Sequence, residues 1–191
     1  MKYFTSDTHW GHSRVIEYSN RPYKDIDEMD EALISNWNAE VKPNDEVYHL
    51  GDVAFCQSDK LKSILQRLNG RKHLIWGNHD QVIQKDRSLQ ELFVWCRHYH
   101  EISIPSATDK YPLKIVLFHF PILEWNRGHH GAIHLHGHTH GKCKYPWGEA
   151  GEHGVVESKI LDVGVDVQGY KPISVDRVIE LVKDKPNITH S

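Results

Sequence analysis

Five short clusters of metal-binding side chains run in order along this 191-residue chain: Asp7-Thr8-His9, Gly51-Asp52, Gly77-Asn78-His79-Asp80, His119, and Gly137-His138-Thr139-His140. Carboxylate, imidazole and amide groups are ligands for divalent ions. So many of them in sequence describe a site for two such ions and the phosphate chemistry that ion pairs perform. All but the last cluster directly follow an apolar run that reads as a strand. Half of the 16 histidines lie between His119 and His153. Within them His134, His136, His138 and His140 alternate, and an extended segment would put them on one face. Gly137 is expected to end that strand, leaving His138 and His140 as ligands and His134 and His136 as partly structural.

The elements that must position these groups alternate. Lys2 to Ser6 reads as a strand ending at Asp7, and Ile26, Met29, Leu33, Ile34, Trp37 and Val41 recur at helical spacing. Glu46 to Leu50 is a second strand after the Pro43-Asn44-Asp45 turn. Leu61, Ile64, Leu65 and Leu68 mark another helix, stopped by Asn69-Gly70, and His73 to Trp76 is a third strand. This order implies parallel pairing, with functional loops at the carboxyl ends of the strands. Leu113 to Phe118, Ala132 to His136 and the stretch Val155 to Val167 read as strands of a second half, and Val175 to Val182 as a closing helix. The expected fold is a layered α/β domain of two face-to-face sheets, one largely parallel, flanked by helices. No linker interrupts it, so residues 1–191 are read as a single domain.

Composition narrows the function. A net charge of -3 argues against a broad nucleic-acid-binding face, though local basic groups could hold one phosphate. No run reaches membrane-spanning length and no signal-peptide core is visible, which points to the cytoplasm and to no membrane partner. Cys56, Cys96 and Cys143 form no C-x-x-C pair and are expected as free buried thiols. His49, inside the second strand, reads as a core histidine or one that supports the ligands. Trp10, Trp76 and Trp125 flank the clusters and read as packing residues, with Trp10 or Trp125 able to stack a nucleobase.

Taken together, D-x-H, G-D, G-N-H-[DE], a lone His and G-H-x-H resemble the calcineurin-like metallophosphoesterase superfamily, over roughly residues 1–141. With Arg21-Pro22-Tyr23 and Val163-Gly164-Val165-Asp166, the chain looks most like that superfamily's compact bacterial and phage members. The resemblance implies that Asp7, His9, Asp52 and His140 hold one ion, and that Asp52, Asn78, His119 and His138 hold the other, with Asp52 bridging. A bridging carboxylate would offset the repulsion between the ions. Asp7 and His9, two apart, would aim at one ion from extended backbone. A ligand set without thiolate favours manganese, iron, zinc or nickel, manganese first among them.

The implied reaction is hydrolysis of a phosphoester by a hydroxide that bridges the two ions. His79 would protonate the leaving oxygen, with Asp80 orienting its imidazole. His12, Arg21 and Arg127 are candidate substrate contacts. Small phosphodiesters or nucleotides are the favoured substrates. A nuclease, a phosphomonoesterase, or a scaffold without turnover are the alternatives. Nothing in the sequence sets the oligomeric state.

Overall fold

A computed structural model describes residues 1–105, 110–142 and 158–188. It begins with β1 (Lys2–Thr5), α1 (Ser13–Tyr18), α2 (Ile26–Glu40), β2 (Glu46–His49), α3 (Ser58–Arg67) and β3 (Arg71–Ile75). Two short helices, α4 (Gln81–Gln84) and α5 (Arg87–Gln90), lead to β4 (Cys96–Arg97) and β5 (Tyr99–Ile104). Then come β6 (Leu113–Phe118), a 3-10 turn (Gly128–His130), β7 (Ile133–His136), β8 (Ile160–Asp162), β9 (Ile173–Ser174) and α6 (Val175–Val182).

Two sheets form, in the orders β4-β3-β2-β1-β9 and β5-β6-β7-β8. In the first, β1 to β4 run parallel and only β9 is antiparallel. In the second, β6, β7 and β8 run parallel and β5 is antiparallel. The expected layered α/β fold is present.

Side-chain alternation along the strands divides the core into layers. Val47 and Leu74 face α2 and α3, where Met29, Leu33, Trp37, Leu61, Ile64 and Leu65 are buried. Their neighbours Phe4, Tyr48 and Ile75 face the other way, against Ile115 and Leu117 of β6 and Ile133 and Leu135 of β7. The two sheets therefore share one apolar layer, and Val178 and Val182 of α6 belong to it.

Helix α2 forms as its sequence dictates. The Asp25 carboxylate accepts the Glu28 amide at 2.9 Å, and Asp27 and Glu28 occupy the positive end of the helix. The expected strand over Val155 to Val167 is Ile160–Asp162 among the described residues. Residues 155–157 of that stretch, and Cys143, lie outside them. Cys56 and Cys96 are free, as expected, but only part-buried. Among the described residues, no helix is long and apolar enough to cross a membrane.

Candidate metal centre

All five clusters lie just beyond the carboxyl ends of parallel strands: Asp7 and His9 after β1, Asp52 after β2, Asn78 after β3, His119 after β6, and His138 and His140 after β7. One sheet brings the first four residues and the other brings the last three.

The backbone there is not extended. Asp7, His9, Asp52, His138 and His140 have φ of 55°, 52°, 57°, 70° and 48°. This corrects the expectation that Asp7 and His9 converge from extended backbone. The left-handed region costs a non-glycine residue on the order of 1–3 kcal/mol, so the surroundings must enforce it. The loops brace one another: Asp7 N–H donates to the Gly51 carbonyl at 3.0 Å and His9 N–H to that of Asp52 at 3.2 Å. The Asp7 carboxylate accepts the His138 amide at 2.9 Å, and Asp162 accepts the Thr139 hydroxyl at 2.7 Å and the Gly141 amide at 3.0 Å.

Two glycines permit this crowding. At Gly51 (φ 92°) a Cβ would stand 2.8 Å from His119 Nδ1 and 2.5 Å from the Gly77 amide nitrogen. At Gly137 a Cβ would fall onto Ser6 Oγ and the Asp7 carboxylate.

The side chains form two groups, Asp7 with His9 and His140, and Asp52 with His119 and His138. In each group the potential ligand atoms lie within 4.8 Å of one another. Asp52 faces both: its Oδ2 is 3.8 Å from His9 Nε2, and its Oδ1 is 3.7 Å from His119 Nε2. Asn78 joins the second group, its Oδ1 2.9 Å from His119 Nε2.

Three observations show that these residues fit cations. His9 is buried, and among the described residues neither of its ring nitrogens has a hydrogen-bond partner; such a group calls for an ion or water. His119 Nδ1 lies 2.6 Å from the Leu50 carbonyl, which can only accept, so the ring proton sits on Nδ1. Its Nε2 lone pair then faces the oxygens of Asn78 and Asp52, an arrangement that a cation between them satisfies. Asp7 is fully buried, and burial together with the charges of Asp162 and Asp52 pushes its pKa well up. A neighbouring cation would hold it ionised.

His140 is oriented from behind. Its Nδ1 donates to Asp166 Oδ2 at 2.6 Å, leaving Nε2 bare for the first group. Burial alone would raise the Asp166 pKa, but the hydrogen bonds from His140 and Arg21 hold it below the usual carboxylate range.

That contact corrects the expectation for Arg21. Its guanidinium is buried, forks onto Asp166 from Nε at 2.8 Å and Nη2 at 2.9 Å, and donates to the carbonyls of Asp7 at 2.7 Å and Thr8 at 2.9 Å. It braces the first loop, and its directed donors are taken. Asp80 also departs from expectation. It is fully buried while His79 is exposed, and its oxygens accept the amides of Gly77 at 2.7 Å, Val53 at 2.8 Å and Asp52 at 3.1 Å. It clasps the loops after β2 and β3 and does not orient the imidazole of His79. Burial pushes its pKa up to about 6 against those hydrogen bonds.

His79 stands at the rim. Its amide donates to Asp52 Oδ1 at 2.9 Å, and its ring lies 6.3 Å from that of His9. His12 stands beside it, stacked 4.1 Å from Phe55, whose ring is also 4.7 Å from His79. Arg127 is elsewhere: it shares a cleft with Lys114, at the start of β6, whereas His119 follows the end of that strand. Trp10 and Trp125 are buried and pack, so neither offers a face to a base.

Asp162, Phe55 and the role of Asp166 escaped the sequence reading. The only local signal was the pair of acids bracketing the run Val163-Gly164-Val165.

No family model matches the chain. It is 32% identical over 185 residues to the uncharacterized protein MJ1445 of Methanocaldococcus jannaschii, covering 95% of this chain and 90% of that protein. It is 30% identical over 206 residues to the Gene 66 protein of Mycobacterium phage L5, covering 94% and 93%. The crystal structure of AQ665 from Aquifex aeolicus, a protein of unknown function, superposes with a TM-score of 0.68 at 27% identity, over 95% of this chain and 99% of that one. The candidate ligand clusters thus sit in a chain matched along nearly its whole length, and it belongs to the family that holds MJ1445 and the phage Gene 66 protein.

Proposed function

We propose that this chain is a metal-dependent phosphoesterase of the calcineurin-like metallophosphoesterase type, acting on small phosphodiesters or nucleotides. The observation that supports it most is the sharing of Asp52 between two ligand groups, with one carboxylate oxygen toward each. Asp7, His9, Asp52 and His140 would hold one divalent ion and Asp52, Asn78, His119 and His138 the other, manganese being the first candidate. When bound, such a pair supplies Lewis acidity toward phosphoryl oxygens and makes a water acidic enough to serve as nucleophile near neutral pH.

The chain's own residues supply the rest. His79, exposed at the rim with its amide pinned to Asp52, can give a proton to the departing oxygen. His12, part-buried and stacked on Phe55 beside His79, would contact the same substrate. His140 and His119 keep their bare nitrogens toward the centre because Asp166 and the Leu50 carbonyl hold the opposite ones.

The test is hydrolysis of bis-para-nitrophenyl phosphate beside the monoester, with manganese, zinc, nickel or magnesium added to metal-stripped protein. Diester turnover that Asp52→Asn abolishes is expected. Monoester preference would reassign the substrate class, and no turnover with any metal would overturn the reading in favour of a scaffold.

A further inference from the structure

Arg127 leads to a second site. It borders a cleft of about 720 Å³ together with Lys110, Lys114, His130, Lys159 and Asn187. That volume is on the scale of small-molecule pockets, ~300–1,000 Å³. Among the described residues that line it, four carry formal positive charge and none is acidic, in a chain whose net charge is -3. Among the described residues, none of the four cations is paired with a carboxylate; Lys114 Nζ donates instead to Ser103 Oγ at 2.8 Å. Unpaired like charges gathered around one cavity repel, and an anion relieves that repulsion.

The turn that presents Arg127 and His130 is built to hold its shape. Trp125 Nε1 donates to the Ala132 carbonyl at 2.8 Å across it, and the amides of His130 and Ala132 both donate to the Arg127 carbonyl, at 2.9 and 3.1 Å. Arg127 itself sits in the left-handed region at φ 61°, where glycine would be cheaper. The braced turn thus holds a non-glycine residue in a costly conformation at the edge of a cationic cleft.

Strand geometry separates this cleft from the metal centre. β6 and β7 run parallel, Ile115 beside Ile133. Both start at the cleft and end at the centre, and the five residue steps from Lys114 to His119 span about 17 Å of extended chain.

We propose that this cleft is a binding site for a small, multiply charged phosphate anion, distinct from the candidate metal centre. The four cations match a tri- or tetra-anion, and the guanidinium of Arg127 can fork onto phosphate oxygens. Cations gathered around one concavity, rather than along a stripe, favour a compact ligand over a polymer.

The experiment titrates inorganic triphosphate into metal-stripped full-length protein at low salt, by calorimetry, so that the metal centre contributes nothing. One saturable equivalent is expected, weakened by added salt. Arg127→Ala with Lys159→Ala should cost at least tenfold in affinity with an unchanged melting temperature, and His119→Ala with His138→Ala should cost nothing. No saturable binding, equal binding by the Arg127/Lys159 variant, or loss in the His119/His138 variant would each overturn the proposal. A single-stranded oligonucleotide that binds more tightly than triphosphate, and through the same residues, would overturn the assignment to a compact ligand.

Discussion

His140 meets Asp166 Oδ2 through a 2.6 Å hydrogen bond from Nδ1, and Arg21 forks onto both oxygens of the same carboxylate. The imidazole therefore reaches the first ligand group already turned and already in the tautomer that leaves Nε2 free. Orientation of this kind lowers the entropy lost when an ion binds.

Asp166→Asn should accordingly weaken one ion and spare the other. A loss of roughly 10–100-fold in affinity is expected for one of two manganese equivalents. Asp52→Asn should weaken both, since Asp52 faces both groups. Competition titration against a fluorescent chelator reads the two steps separately. Two unaltered steps in Asp166→Asn would remove Asp166 from the ligand support.

His79→Ala tests the proton donor. Turnover should fall by roughly 10²–10⁴ on substrates with a poor alkoxide leaving group, with both metal equivalents retained. With para-nitrophenolate as leaving group the loss should be much smaller, because that oxygen departs without a proton. Equal losses on both substrates, together with a missing metal equivalent, would make His79 a ligand instead.

Asp80→Ala should act on stability first. It strands the amides of Asp52, Val53 and Gly77 in a buried place, and a cost of roughly 3 kcal/mol or more is expected from urea unfolding. Metal affinity should drop at both groups, because the loops carrying Asp52 and Asn78 lose their common clasp. A variant of normal stability with only a turnover defect would restore the orienting role first expected of Asp80.

Acid should destabilise the fold through His49. Burial lowers its pKa to about 3, and its neutral ring is fully used: Nδ1 accepts the Gly51 amide at 3.2 Å, and Nε2 faces the Thr8 hydroxyl at 2.9 Å. Below the unfolded value of 6.5 the unfolded chain takes up a proton that the folded chain refuses. The contribution is therefore whole above pH 6.5 and is lost as pH falls toward 3, amounting to roughly 3 kcal/mol by pH 4. In His49→Gln the slope of unfolding free energy against pH in this window should fall by about one proton. An unchanged slope would mean that His49 is charged in the native state.

Much of the architecture was legible because it is local. The apolar spacing of α2 and the run Leu113 to Phe118 name their elements without help from the rest of the chain. The strand Tyr99–Ile104 was not, since half of its residues are polar and its pairing with β6 makes it a strand. β9 is two residues long and exists only because β1 lies beside it. At the candidate site, ligand identities could be read from residue type and order, but their left-handed backbones could not. Those conformations are imposed by contacts between distant segments, such as Arg21 with Asp166, 145 residues apart. The same holds for Asp80, whose partners lie in the loop after β2 as well as its own.

The division of ligands between the two sheets has a consequence for how the chain is made. Asp7 and His9 leave the ribosome early, but their group is incomplete until His140 emerges, and Asp52 waits for His119 and His138. The amino-terminal half can therefore assemble its parallel sheet during synthesis, which proceeds at roughly 5–20 residues per second, without offering an ion a finished set of donors. Metal loading at this candidate centre would then be a late step that follows docking of the second sheet. A nascent chain halted before residue 119 would expose histidines and carboxylates that can only scavenge ions weakly and in the wrong company.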